Sequence, residues 1–291
     1  MMATPPRLDR RLIVNGDDFG LSPQVNAGIL HAHTQGILTS TSLIVTGAAW
    51  QEAVALAKDT PSLSVGLHVT LVQGRAVLPP HLLTSVTEWN GAFSDNPTTA
   101  GLRYFFSPQA RVQIRDECRA QIERFLKTGL PLAHLDGHVN IHMHPVVLDT
   151  LLDLASEYDV NAMRLTREDV RTSLACDPRH SLRKRWESFI FTRLSRVAER
   201  KLRGQGIAFP DALFGLHQSG DISERYLLRL LPRLRGGVTE LYCHPAFLPC
   251  KEAQYWTPTY RREVELAALT SPAVRAALAD QGITLISYRD L

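Results

Sequence analysis

A chain of 291 residues could hold two small domains, but a single α/β barrel of about 250 residues would use most of it. The formal net charge of +3 does not by itself indicate a nucleic-acid partner, and the four cysteines include no Cys-x-x-Cys pair, which favours reduced thiols over a disulfide framework. The sequence has no run of about 18 apolar residues and no apolar signal segment, so we expect a cytoplasmic protein. With so small a net charge, we expect no nucleic-acid partner.

Short apolar segments alternate with helical segments along the chain. The clearest helix is Pro23–Thr34, because Ser22 is a suitable N-cap and proline is favoured at the first helical position. Further helices are predicted at residues 48–58, 109–127 and 145–158. Eight strands are predicted, at residues 11–15, 41–46, 64–71, 132–138, 162–165, 212–216, 238–243 and 284–288.

Strands that alternate with helices predict parallel pairing and an α/β fold, with residues 1–291 in one domain. A single (β/α) barrel, TIM-like or distorted from that form, is favoured over an open doubly wound sheet, because polar residues end several different strands. Two long insertions interrupt the alternation. Residues 74–108 follow the third strand, and a strongly basic helical insertion at about residues 167–209 follows the fifth.

Two adjacent carboxylates, Asp17 and Asp18, follow the first apolar strand. Adjacent residues of a strand point in opposite directions, so one carboxylate could bind a metal while the other faces water. A single carboxylate here could simply cap the next helix, but two unpaired acids at a buried strand end would be costly. We therefore interpret the pair as part of a functional site.

Histidines end the third and fourth strands. His68 follows Gly66 by two residues, and the small glycine would leave room for a ligand. The two-residue period of the fourth strand places His134, Asp136 and His138 on one face. We expect His138 to bind a metal and Asp136 to orient a ligand. Carboxylate and imidazole groups from separate strand ends are typical of an open catalytic metal site, although a lone histidine such as His68 could also be a core residue.

Further histidines lie at or beyond strand ends. His244 ends the seventh predicted strand, and Pro245 favours an extended backbone at the histidine. This position suits a histidine that acts as a general acid. Alternatively, His244 only marks the end of the strand. His142 and His144 follow the fourth strand, where they could bind substrate or be solvated loop residues, and His144 is the weaker candidate.

Four motifs, in this order, resemble those of the YdjC-like carbohydrate deacetylases: residues 13–22 (IVNGDDFGLS), 66–68 (GLH), 134–138 (HLDGH) with His142, and 243–246 (CHPA). Three further segments resemble the hopanoid-biosynthesis-associated branch of that family, HpnK: residues 74–80 (GRAVLPP), 103–106 (RYFF) and 214–216 (FGL) with Ser219-Gly220. The chain departs from the family at Gly16, where alanine is common, and at Val139-Asn140, which replaces a histidine-rich stretch.

The resemblance implies a barrel enzyme that removes the N-acetyl group from an N-acetylglucosamine-type sugar. It also implies one divalent metal ion bound by Asp18, His68 and His138. Two histidines and one carboxylate favour zinc, and cobalt, manganese, iron and magnesium stay open. Such a metal would polarise the acetamide carbonyl and lower the pKa of its bound water.

The resemblance further assigns the proton transfers. Asp17 would be the general base, and His244, as imidazolium, would protonate the departing amine. The remaining polar residues of these motifs would orient the ligands or bind substrate: Asp136, His142 and His134.

Two other functions stay open at this point. A metal-dependent phosphoesterase or amidohydrolase could use the same barrel, with His142 and His144 in a second metal site. A non-catalytic sugar- or lipid-binding protein is the other alternative, although binding alone would not need both Asp17 and His244. The sequence leaves the oligomeric state open, a homodimer included.

The basic insertion contains an apolar pattern at helical spacing: Leu182, Trp186, Phe189, Ile190, Leu194, Val197 and Leu202. Eight basic residues are interspersed: Arg183, Lys184, Arg185, Arg193, Arg196, Arg200, Lys201 and Arg203. Such a helix could lie on an anionic membrane, as a peripheral contact at the inner membrane surface that helps the enzyme reach a lipid-linked sugar, for example a hopanoid conjugate. The pattern slightly favours the alternative, in which the apolar face packs against the barrel and the basic face is solvated.

Overall fold

The computed structural model describes residues 9–291, apart from the side chains of residues 252–254, so the first eight residues of the predicted 1–291 domain lie outside it. Within the described residues, seven strands form one parallel sheet: β1 (Arg10–Phe19), β2 (Ser40–Leu43), β3 (Ser64–Val69), β4 (Leu135–Gly137), β5 (Ala212–Phe214), β6 (Gly237–Cys243) and β7 (Ile283–Ile286). The strands follow the order β4-β3-β2-β1-β6-β5, and β7 also pairs with β1.

Helices connect the strands: α1 (Pro23–Thr34), α2 (Trp50–Asp59), α3 (Pro97–Phe106), α4 (Pro108–Leu126), α5 (Pro145–Glu157), α6 (Val170–Cys176), α7 (Ser181–Gly204), α8 (Glu224–Leu230), α9 (Lys251–Trp256), α10 (Arg262–Leu269) and α11 (Pro272–Asp280). Short 3₁₀ segments lie at Pro80–Leu82, His138–Met143, Leu231–Arg233 and Tyr288–Asp290. The prediction of α1 is confirmed to the residue, and Ser22 Oγ accepts a hydrogen bond from the Val25 amide at 3.3 Å. No helix in this described part of the chain is long and apolar enough to span a membrane.

The α/β class is confirmed, and the curled parallel sheet is consistent with a distorted barrel. The predicted strand at residues 162–165 is wrong, since Ala162 and Met163 make only isolated bridges to Ala208 and Leu135. The neighbouring strand β4 is only three residues long, because the chain then enters a 3₁₀ segment. Few residues of β4 are therefore available to pair with residues 162–165 in a continuous ladder of hydrogen bonds. The barrel wall is therefore interrupted between β4 and β5.

The basic insertion, residues 167–209, contains α6 and α7. The buried residues of α7 are Lys184, Ser195, Ala198 and Leu202. Most of the predicted apolar pattern faces solvent instead, with Leu182 83% and Trp186 65% exposed. The favoured packing of that pattern against the barrel is thus wrong for its N-terminal half, because only Leu202 of the pattern belongs to the buried residues of α7.

Candidate active site

β1 delivers both aspartates to one cavity. Asp17 and Asp18 are buried, and both line a cavity of about 410 Å³ at the C-terminal ends of the strands. The expectation that they point in opposite directions is wrong. The pairing of β1 with β2 shifts register between Gly16 and Phe19, and Asp18 adopts a left-handed conformation with φ 70°. A bulge of this kind re-aims side chains, so two consecutive residues reach the same space.

Three potential metal ligands meet at this point: Asp18, His68 and His138. Asp18 Oδ1 lies 3.0 Å from His138 Nδ1 and 3.8 Å from His68 Nε2. One ligand atom from each residue lies within 4.8 Å of the other two, and all three side chains are buried. Ligand atoms around a tetrahedral zinc with bonds of about 2.1 Å are about 3.4 Å apart. The residues present therefore fit a small divalent cation.

Two details favour this set of three. Asp18 Oδ1 is buried and makes no hydrogen bond in the described structure, although it lies 3.0 Å from His138 Nδ1, and such a buried acceptor is costly unless another group occupies the site. A second possible set combines Asp17, His68 and Asp136. Its atoms are already engaged, because Asp136 binds His68 Nδ1 at 2.7 Å and Asp17 binds an arginine. The first set is the better candidate.

Asp136 holds the ring of His68. Its Oδ1 contacts His68 Nδ1 at 2.7 Å, and its Oδ2 accepts a hydrogen bond from Ser42 at 2.8 Å. Burial raises the pKa of Asp136, but the charges of Arg164 and His68 outweigh it and hold the pKa well below its usual value. An ionised carboxylate on Nδ1 leaves Nε2 of His68 directed towards Asp18, which is the arrangement expected for an oriented metal ligand.

His134 lies beneath these groups and does not line the cavity. Its ring is fully buried and stacks on Tyr288, with ring centroids 3.7 Å apart. A Cβ atom at Gly66 would lie 2.3 Å from the His134 ring. The space beside Gly66 therefore accommodates His134, and the expectation that it leaves room for a ligand is wrong.

Asp17 is held by Arg164, a residue that the sequence motifs did not indicate. Both Nη atoms of the arginine contact the two carboxylate oxygens, and Asn15 donates a further hydrogen bond at 2.8 Å. Arg164 also contacts Asp136 at 2.9 Å and Glu240 at 2.8 Å. Burial raises the pKa of Asp17, but the Arg164 guanidinium outweighs it, so the net pKa is lowered and the carboxylate is ionised.

Asp18 also has an arginine partner. Arg262 donates a hydrogen bond to Asp18 Oδ2 at 3.0 Å, and its side chain is buried. This contact uses one carboxylate oxygen and leaves Oδ1 facing the two histidines. Arg262 is thus placed to fix the orientation of the carboxylate.

His244 lines the same cavity from the end of β6. Its ring lies against Tyr260, with centroids 4.9 Å apart, and its Nδ1 is 3.9 Å from Glu265 Oε2. Glu265 also accepts a hydrogen bond from the His244 backbone amide. Burial lowers the pKa of His244 to about 4. The imidazole is therefore neutral at pH 7 in the structure as it stands, and carboxylates such as Asp18 oppose the effect of burial.

The other two histidines are set back from the cavity. His142 is fully buried, its Nε2 lies 3.3 Å from Thr166 Oγ1, and burial lowers its pKa to about 3. His144 Nε2 contacts the Gly101 carbonyl at 3.0 Å. Among the described residues, neither belongs to a group of three or more potential metal ligands. Asn140, which departs from the family pattern, does line the cavity.

Arg164, Arg262 and Glu265 are charged residues of the site that the sequence motifs did not indicate. One sequence signal could have identified Arg164: it lies inside a predicted buried strand, and a buried charged residue requires a partner of opposite charge. Arg262 and Glu265 lie on α10, far from the motifs in sequence, and offered no comparable signal.

Comparisons with known proteins show the family of this chain. A family model described as YdjC-like protein matches residues 11–280. A carbohydrate deacetylase of Geobacillus stearothermophilus is 33% identical over 97% of this chain and 98% of its own length. A chitooligosaccharide deacetylase of Serratia marcescens is 31% identical over 98% of this chain and 100% of its own length.

A solved structure shares the fold over nearly the whole chain. It is that of a protein named for cellobiose-phosphate cleavage, from Enterococcus faecalis V583. The two chains are 28% identical, with a TM-score of 0.76 over 97% of this chain and 98% of the other. The predicted family is thereby confirmed, and the chain belongs to the YdjC-like protein family.

Proposed function

We propose that the protein is a metal-dependent N-deacetylase that hydrolyses the acetamide of an N-acetylglucosamine-type sugar. One observation carries the proposal: Asp18, His68 and His138 converge beside Asp17 and His244 in one cavity. The names of the similar proteins from Geobacillus and Serratia support deacetylation of a carbohydrate.

The site can supply the groups that amide hydrolysis needs. A divalent cation held by Asp18, His68 and His138 would polarise the acetamide carbonyl and acidify a water molecule. Asp17, kept ionised by Arg164, would accept the proton of the attacking water. His244 lies on another strand end of the cavity and would protonate the departing amine, for which its imidazole, neutral in the resting site, must first take up a proton. Two nitrogen ligands and one oxygen ligand suit zinc, which we propose as the metal.

The cavity walls suit a sugar ring. The volume of the catalytic cavity, about 410 Å³, lies within the usual range for small-molecule sites, about 300–1,000 Å³. Aromatic side chains of Trp256, Tyr260 and Phe191 line it together with polar side chains of Asn140 and Ser219. Aromatic faces can pack on the C–H face of a sugar while the polar groups bind its hydroxyls. This lining favours a carbohydrate over a purely apolar substrate at the reacting end.

The two-metal alternative has less support. It would use His142 and His144, which contact Thr166 and the Gly101 carbonyl instead of a common point. A single cation is therefore the cofactor that we propose.

The narrower substrate assignment rests on the hopanoid-branch segments and on α7. We propose a lipid-linked amino sugar, on a hopanoid carrier, and a cytoplasmic enzyme that contacts the inner membrane surface peripherally. The exposed apolar residues of α7 support this contact, and Arg183 and Phe191 of the same helix line the catalytic cavity. A substrate anchored in the bilayer would then lie close to the site.

Acetate release and metal content test the proposed function together. Zinc-loaded protein should release acetate from N-acetylglucosamine conjugates, including a hopanoid-linked one. His68→Ala should lose both metal and activity, whereas Asp17→Asn should keep its metal and lose about 10²–10⁴-fold in kcat. His144→Ala is the matched control and should keep both. Stoichiometric metal in His68→Ala would contradict the ligand assignment. Loss of metal in Asp17→Asn would mean that Asp17 binds the metal and Asp18 is the base.

A further inference from the structure

Tyr242 lines the catalytic cavity beside the groups proposed for the chemistry. It lies on β6, two residues before His244. Its ring makes an edge contact with the His244 ring, with centroids 5.7 Å apart, and the guanidinium of Arg164 lies 4.7 Å from the centre of the tyrosine ring. Tyr242 is therefore adjacent both to the proposed acid and to the arginine that holds the proposed base.

The hydroxyl of Tyr242 accepts the one side-chain hydrogen bond that it makes among the described residues. The donor is Asn140 Nδ2, at 3.4 Å, and Asn140 also lines the cavity. Burial raises the pKa of Tyr242 well above its usual value, so the hydroxyl keeps its proton at neutral pH. A protonated hydroxyl that only accepts still has its own hydrogen to donate.

A further contact holds the side-chain amide of Asn140. Its Oδ1 accepts a hydrogen bond from Thr166 Oγ1 at 2.9 Å, and the same Oγ1 lies 3.3 Å from Nε2 of the buried His142. Because Oδ1 is engaged by Thr166, the amide presents its Nδ2 donor to Tyr242. A donor that faces the tyrosine oxygen directs the hydrogen of the hydroxyl away from Asn140.

We propose that Tyr242 donates a hydrogen bond to the acetamide oxygen during hydrolysis, and that Asn140 is the positioning residue that keeps this hydroxyl directed to the substrate. The inference rests on the proposed function and adds a catalytic residue to it. The carbonyl carbon must lie between the attacking water, beside Asp17, and the departing nitrogen, beside His244. A donor adjacent to both is placed at the carbonyl, whose oxygen gains negative charge as the water attacks.

Tyr242→Phe removes the hydroxyl and keeps the ring beside Arg164 and His244. With the zinc-loaded enzyme and methyl N-acetyl-β-glucosaminide, kcat should fall about 10²–10³-fold, the usual effect of losing one donor to a developing oxyanion. KM and bound zinc should stay close to those of the wild type. Tyr158→Phe is the matched control and should keep its activity, because the Tyr158 hydroxyl, at the C-terminal end of α5, donates to Glu123 at 3.0 Å. An unchanged kcat in Tyr242→Phe would overturn the proposal.

Two substitutions of Asn140 separate positioning from a structural role. Asn140→Asp replaces the Nδ2 donor by an acceptor, so Tyr242 should donate to the new carboxylate and kcat should fall about as far as in Tyr242→Phe. Asn140→Ala leaves no competing acceptor, so the hydroxyl can still reach the substrate and kcat should fall less than about tenfold. Asn140 has φ 56°, which alanine tolerates less well than aspartate, so a purely structural role requires the opposite order. That opposite order, or equal kcat values for the two variants, would overturn the positioning role.

A double variant tests whether the new carboxylate acts through Tyr242. Asn140→Asp combined with Tyr242→Phe should lose no more activity than Tyr242→Phe alone, because the hydroxyl that the carboxylate captures is already absent. Losses that multiply would mean that the carboxylate acts through its charge, which would also overturn the positioning role.

The acceptor is identified with a thioacetamide. Sulfur accepts hydrogen bonds weakly, so hydrolysis of methyl N-thioacetyl-β-glucosaminide should depend little on the hydroxyl. The ratio of the wild-type kcat to that of Tyr242→Phe, followed by amine release, should be much smaller for the thioacetamide than for the acetamide. The same large ratio for both substrates would place the hydroxyl on another group of the sugar and would overturn the assignment to the acetamide oxygen.

Failure of the proposed function would look different. The wild type would then release no acetate from methyl N-acetyl-β-glucosaminide, and both the function and this inference would be wrong. Wild-type hydrolysis that survives intact in Tyr242→Phe would overturn the inference alone.

Discussion

Both Nη atoms of Arg164 contact the carboxylate of Asp17, at 2.7 and 2.8 Å, across 147 residues of sequence. The same guanidinium contacts Asp136, which in turn holds His68. The buried guanidinium of Arg164 thus fixes the proposed base and, through Asp136, one of the proposed metal ligands. A paired, bidentate carboxylate is oriented and ionised, so it can accept a proton at a fixed distance, while its lowered pKa makes it a weaker base than a free carboxylate.

Arg164→Lys should change the pH dependence of the protein. Lysine keeps the charge but cannot form two parallel bonds, so the pKa of Asp17 should rise and the acidic limb of kcat/KM should move to higher pH. The lowered pKa of Asp17 stabilises the fold above the unfolded-state pKa, and this stabilisation is lost as pH falls through the folded-state pKa. In the variant the folded-state pKa of Asp17 should lie closer to the unfolded-state value, so this stabilisation should be smaller and its loss should be complete at a higher pH.

Activity profiles and urea unfolding between pH 3 and 8 measure both effects. We expect a cost of about 1–3 kcal/mol at pH 7 for the lost buried hydrogen bonds. Arg115→Lys provides the control, because Arg115 forms an exposed pair with Asp153 and should show neither effect. An unchanged acidic limb in Arg164→Lys would mean that Asp17 is not the base.

His244→Ala should show a strong dependence on the leaving group. If His244 protonates the departing amine, its loss should slow acetamide hydrolysis by about 10²–10⁴-fold. An activated acetate ester, such as a nitrophenyl ester, leaves without a proton and should be affected much less. The two rates are measured on the same metal-loaded preparations, with His144→Ala as the histidine control. Equal losses on amide and ester would assign His244 to substrate binding or structure.

Val139 is strained at the edge of the site. It has φ 55° and ψ 27°, a left-handed conformation that β-branched residues disfavour, and it directly follows His138. Its side chain is 43% exposed, so little packing depends on it. Val139→Asn should therefore raise the free energy of unfolding by about 1 kcal/mol, because asparagine tolerates this conformation.

The control for this change is Val197→Asn in α7. Val197 has a similar exposure of 45% but lies within a regular helix, so the same substitution should not stabilise the protein there. Urea unfolding of the two variants and the wild type measures the difference. A destabilised Val139→Asn would show that packing of the valine side chain outweighs the backbone strain.

Local sequence signals predicted the parts of the fold and site that depend on neighbouring residues. Ser22 and Pro23 define the start of α1, and the polar residues that end β1 and β3 do meet in one cavity. The bulge that turns Asp17 and Asp18 to the same side was not predictable, because it depends on the register between β1 and β2. Contacts between distant segments, such as that of Arg262 with Asp18 across 244 residues, also leave no local pattern.

The same distinction explains the exposed surface of α7. A helical pattern shows that apolar residues share a face, but not which face the rest of the protein covers. Here the covered face includes Ala198 and Leu202, while Trp186 and Phe189 stack on each other at the surface, with ring centroids 5.7 Å apart. The guanidinium of Arg193 lies over the Phe189 ring, 3.4 Å from its centroid. Aromatic and basic groups together on an exposed face are typical of helices that lie on anionic membranes.

Flotation with vesicles tests this surface directly. The wild type should float with vesicles that contain anionic phospholipid and should bind less as salt is added, since the electrostatic attraction is screened over about 8–10 Å near physiological ionic strength. Trp186→Glu, and separately charge reversal at Arg193 and Arg196, should each abolish flotation without reducing hydrolysis of a water-soluble substrate. Trp89→Glu, at a tryptophan that is 89% exposed on a different segment, should float like the wild type. Failure of the wild type to float at low salt would show that α7 does not bind membranes, and the proposed contact with the inner membrane surface would be wrong.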